Sequence, residues 1–68
     1  MITPEKKQEI LERLKGVSIR EMCQRAGIKR NTFYAVLNNE SSKYEAVEAV
    51  LDEAEKEKIN IKNKINAL

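Results

Sequence analysis

The chain contains no histidine and no tryptophan, one cysteine, one proline and two glycines. Each scarcity speaks against a class of function. Without histidine, the usual general base near neutral pH is missing. The lone Cys23 can form no disulfide within the chain, and it lies on the apolar face of a helical repeat, where a thiol is a poor nucleophile and has no companions for a zinc site. Gly16 and Gly27 are too few for a glycine-rich phosphate loop. The carboxylates sit at helix starts or beside lysines on solvated faces. The expectation is a protein that is not an enzyme and takes no cofactor, metal or small-molecule ligand. No apolar run approaches the roughly 18 residues of a membrane span, and no signal peptide is visible at the N-terminus. A free thiol without an export signal fits the cytoplasm, with no membrane partner.

At 68 residues the chain is a single small domain. A chain this short buries only about 60% of the surface its unfolded form exposes. With no disulfide to compensate, a partner subunit is expected. The net charge of +2 is unevenly spread: residues 1–43 carry nine Lys/Arg against five Glu, and residues 44–68 carry four Lys against six Asp/Glu. The first part is therefore the basic one, as a phosphate-facing surface requires, although an excess this modest also suits a merely soluble surface.

Residues 18–38 organise the rest. Ile19, Met22, Cys23 and Ala26 recur at i, i+3, i+4 and i+7, one face of a helix, and Phe33, Val36 and Leu37 repeat the spacing on a second. Gly27 lies between them, where a helix needs a left-handed residue to stop. Ile28 turns an apolar side chain back into the angle between the two helices. Small Cys23 falls where two steeply crossing backbones come closest. This is the specification of a helix-turn-helix.

Ahead of it, Thr3-Pro4-Glu5 starts a helix with an N-cap, a first-turn proline and an acidic residue. Its stripe is Ile10, Leu11 and Leu14, and Lys15-Gly16 ends it. Ser18 with Glu21 three residues on forms a capping box for the second helix. Asn38 to Ser42 reads as a loop. Ser42 with Glu45 forms another capping box, so that a further helix is expected from Lys43.

Tyr44, Val47, Leu51, Ala54, Lys58, Ile61, Ile65 and Leu68 then follow at alternating steps of three and four, a heptad seam interrupted only by Lys58. Ile59, Ile61, Asn63 and Ile65 also alternate as a strand would, but no turn signal breaks the seam, and helix is expected throughout. Apolar residues therefore continue past what one small core can use, which implies self-association. Residues 1–57 are read as the binding domain and 58–68 as an extension in which Ile61, Ile65 and Leu68 dimerise.

With Phe33, Val36 and Leu37 turned to the core, helical geometry leaves Arg30, Asn31 and Tyr34 outward, together with Asn38 or Ala35. Arginine can donate two bonds to guanine, and asparagine can pair both ways with adenine. A tyrosine ring can lie on a thymine methyl, and alanine allows close approach. A polar solvent face is the plain alternative.

Leu14-Lys15-Gly16-Val17-Ser18, Arg20-Glu21-Met22-Cys23, Ala26-Gly27-Ile28 and Val36-Leu37-Asn38-Asn39 resemble the DNA-binding domain of the lambda repressor and Cro-like family, from about Leu11 to Leu51. The chain departs from the family pattern at Ile19, where many members carry a phosphate-holding Gln, and at Lys29, where many carry a Ser or Thr cap. Its tail also extends past the family's usual last helix. The resemblance implies an all-α domain of four helices and a homodimeric, sequence-specific repressor of the phage, mobile-element or antitoxin kind. Its partner would be double-stranded DNA carrying an inverted repeat. Base contacts would come from Arg30, Asn31, Tyr34 and Ala35. Phosphate contacts would come from Ser18, Arg20, Lys29, Thr32, Asn38 and Lys43. Two other readings stand beside it: a helical protein-interaction module without DNA contact, and a recombination accessory factor.

Overall fold

The computed structural model describes residues 1–66 and is all-α. Its helices are α1 (Pro4–Arg13), α2 (Ile19–Ala26), α3 (Arg30–Leu37) and α4 (Tyr44–Asn66). Ile2, Ile10, Leu14, Met22, Cys23, Phe33, Val36, Leu37, Val47, Val50, Leu51 and Ala54 form one buried cluster. The expected stripes of α1, α2 and α3 all contribute to it, with Leu11, Ile19, Ala26 and Ile28 packed around its edge. Among the described residues no helix is long and apolar enough to cross a membrane.

Local chemistry sets the helix ends. Thr3 Oγ1 accepts the amide of Lys6 at 3.1 Å, and Ser18 Oγ accepts that of Glu21 at 3.3 Å. The second bond is half of the expected capping box; among the described residues, the Glu21 carboxylate makes no return bond to the Ser18 amide. α1 stops at Arg13, slightly before Lys15-Gly16, and the turn closes on Gly16 at φ +86°.

α2 ends in a Schellman turn: the Ile28 amide donates to the Cys23 carbonyl at 2.9 Å and that of Gly27 to Gln24 at 3.2 Å, with Gly27 at φ +71°. The same motif closes α3 without a glycine. Glu40 donates to Ala35 at 2.7 Å and Asn39 to Val36 at 3.1 Å, with Asn39 left-handed at φ +61°. Asparagine is the residue that tolerates this conformation best after glycine.

α4 begins one residue later than expected. Its cap is Lys43 rather than Ser42, because Ser41 Oγ takes the Lys43 amide at 3.3 Å and the Ser42 carbonyl takes that of Tyr44 at 2.9 Å. From there α4 is a single helix through Asn66, so the strand alternative for Lys58 to Ile65 does not form.

The heptad seam needs correction at two positions. Tyr44 is 41% exposed and Lys58 is also exposed, while Ala46 and Val50 are buried in their place. A straight helix repeats every 3.6 residues, not 3.5, so its buried face drifts away from a strict heptad. The Lys58 Nζ donates to the Arg13 carbonyl. Beyond it, Ile59, Ile61 and Ile65 are 53%, 41% and 64% exposed. Leu68, the third expected dimerisation residue, lies outside the described residues.

Candidate nucleic-acid interface

α3 is held by its apolar side and its two ends. Phe33 and Val36 are fully buried and Leu37 nearly so, which fixes the rotation of the helix. Asn31 and Asn38 are consequently exposed, Tyr34 is 41% exposed, and Thr32 and Ala35 are half-buried. The Tyr34 ring stands edge-on to Phe33, with centroids 5.2 Å apart at 73°, so a buried ring steadies an exposed one.

Lys29 caps the start of α3 without a side-chain hydrogen bond. The first-turn amides therefore lack the acceptor that Thr3 and Ser18 supply elsewhere, and a helix start in this condition attracts negative charge. An open cleft of about 430 Å³ lies against this end, with Arg20, Gln24, Lys29, Arg30 and Asn31 around it and Cys23 and Ile28 behind them. Three cations thus share one concave surface. Burial raises the Cys23 thiol above its ordinary range, and the nearby Arg30 charge works in the opposite direction. The thiol is buried and packs behind the cleft.

At the other end, Lys7 Nζ donates to Asn38 Oδ1 at 2.8 Å. This carries a lysine from the polar face of α1 across to the end of α3. Cations consequently stand at both ends of a helix about 12 Å long from Arg30 to Asn38 at 1.5 Å per residue, with Asn31, Tyr34 and Ala35 between them.

The expected site residues divide accordingly. Arg20, Lys29, Arg30 and Asn31 are brought together at the cleft. Tyr34 and Ala35 lie along the outward side of α3, and Asn38 closes it beside Lys7. Ser18 and Lys43 lie outside the cleft; the Ser18 hydroxyl oxygen is engaged as the cap of α2, while Lys43 is exposed at the start of α4. Sequence reading missed Gln24 and Lys7. Gln24 lies one position beyond the buried Cys23 and hence on the outward side of α2, a signal that was present in the spacing. Nothing in the local sequence announces the reach of Lys7 to Asn38, 31 positions away. No family model, curated protein or solved structure matches this chain significantly.

Proposed function

We propose that this chain is a sequence-specific DNA-binding regulator that inserts α3 into the major groove and works as a homodimer. The observation that carries the reading is the outward side of α3. Its exposed groups are hydrogen-bonding or small, and Arg20, Lys29 and Arg30 cluster at its open N-terminal end. An α-helix fits the major groove, where Asn31 and Arg30 can read base edges while Arg20, Lys29 and the Lys7–Asn38 pair meet the flanking backbones. A protein-interaction module would more often present apolar side chains there. In this chain the exposed isoleucines are on the far end of α4 instead.

Within this reading the regulator is a repressor, since occupying an operator is itself enough to block access to it. The test is selection from a random-sequence DNA pool with the full chain at moderate salt. An enriched inverted repeat is expected, because operator symmetry mirrors protein symmetry. A pool that emerges without any enriched motif overturns the reading.

A further inference from the structure

α4 carries two features that no contact among the described residues explains. Its far end, Ile59 to Asn66, holds Ile59, Ile61 and Ile65 exposed, with two lysines and no carboxylate. At 100° per residue, Ile61 and Ile65 continue the face that Val47, Val50 and Ala54 turn to the core, and Lys62 and Lys64 flank them on either side. Its near end borders a cleft of about 250 Å³ against α1, with Ile2, Ile10, Val47 and Leu51 inside and the half-exposed Tyr44 at its mouth. The α4 side of that cleft carries Glu48; a separate hollow of about 160 Å³ further along α4 is lined by Arg13, Leu51, Glu55 and Lys58. On the α1 side Glu9 stands 3.8 Å from Lys6, leaving Arg13 as the other cation of that wall.

The geometry points to a reciprocal dimer in which the Ile61/Ile65 end of one α4 lies in the α1/α4 cleft of a second copy. Both halves are present in equal number on every chain. A continuous helix cannot bend its own end back onto its own beginning, so this occupant has to come from another molecule. Charge selects the same partner. From Glu45 to Glu55, α4 carries five carboxylates and no cation, whereas from Lys58 onward it carries only cations. Seating the tail in the cleft turns one of Lys62 and Lys64 toward the acidic α4 wall that carries Glu48, and two-fold symmetry repeats the contact. The proposal rests on the self-association half of the reading above and is independent of DNA contact.

The experiment is sedimentation equilibrium of the full chain without DNA, using a cleft variant (Glu48→Lys with Glu55→Lys), a tail variant (Lys62→Glu with Lys64→Glu) and their equimolar mixture. All four positions are exposed, and circular dichroism checks that each variant is folded, with Glu48→Lys alone as the milder cleft variant. The natural chain should dimerise, each variant alone should dissociate at roughly tenfold higher concentration or more, and the mixture should recover the dimer. A cleft variant that dimerises like the natural chain, while the tail variant does not, overturns the proposal in favour of a tail-to-tail bundle. A natural chain that stays monomeric at high micromolar concentration also overturns it. So does one that is monomeric in solution but floats with anionic lipid vesicles, whose surface would then be the occupant. A DNA selection that fails leaves these sedimentation outcomes unchanged, so the two readings fail separately.

Discussion

The ammonium of Lys58, near the middle of α4, donates to the carbonyl of Arg13, the last residue of α1. The final carbonyls of a helix have no partner within it, and a cation there also meets the negative end of the helix dipole. The bond joins positions 45 apart and holds the end of α1 against α4. Lys58→Leu should therefore lower stability by about 0.3–1 kcal/mol, the usual worth of a cation at an exposed helix C-terminus. Lys58→Arg should retain most of it. Urea unfolding of the two variants is the check, and a more stable Leu variant would show that the bond contributes nothing.

Asn39 does two things at once. Its backbone is left-handed, and its side chain both accepts from the Ile2 amide at 2.7 Å and donates to the Ile2 carbonyl at 2.8 Å. The pair acts as a clasp that holds Ile2 in the core ahead of α1. Asn39→Gly should keep the turn and lose the clasp, costing about 1–2 kcal/mol for two partly exposed hydrogen bonds. Asn39→Ala should lose both and cost about 1 kcal/mol more, because an alanine Cβ resists the left-handed conformation. Equal stabilities for the two variants would rule out a role for the backbone conformation.

The stripes of α1, α2 and α3 were legible because burial there follows short-range spacing: Ile10 with Leu14, Met22 with Cys23, and Phe33 with Val36 and Leu37. The outward set on α3 followed from the same geometry, since fixing Phe33 inward fixes Asn31 outward. α4 was legible as a helix, and Val47, Leu51 and Ala54 of its expected seam are buried, but a strict heptad also selects Tyr44 and Lys58 where a 3.6-residue repeat selects Ala46 and Val50. The clasp of Ile2 by Asn39 and the reaches of Lys58 to Arg13 and Lys7 to Asn38 were not legible. Each joins residues more than 30 positions apart through a polar contact that no periodicity records.

Acid should loosen the contact between α2 and α4. The Arg25 guanidinium bonds the Glu57 carboxylate, and this hydrogen bond together with the Arg25 charge holds the Glu57 carboxyl below its ordinary range. A carboxyl whose folded value is depressed contributes stability that is fully present above its unfolded value, about 4.3. That contribution is lost as pH falls through the lower folded value. Thermal unfolding of the natural chain should therefore weaken below about pH 4 more than that of Glu57→Gln. Parallel pH profiles for the two proteins would count against the pair.

The contributions of the α3 face should separate when affinity is measured against both sequence and salt. Arg30 and Asn31 stand at the first turn of α3, off the Phe33/Val36 side, where side chains of a recognition helix meet base edges. Arg30→Ala and Asn31→Ala should each lose about 1–3 kcal/mol of specific binding and relax the preference at one base pair of each half-site. Lys29 precedes the helix and lies beside Arg20 in the same cleft, in the place of a backbone contact. Lys29→Ala should weaken all sequences alike and reduce the slope of log affinity against log salt by about 1. Lys7→Ala should do the same and also free the Asn38 amide it now holds, so Lys7→Ala with Asn38→Ala should cost less than the sum of the two. The informative measurement is a titration of natural and single-base-changed sites at several salt concentrations. If Arg30→Ala weakened every site equally with its preferences intact, Arg30 would be a phosphate contact and the reading of bases would rest on Asn31, Tyr34 and Ala35.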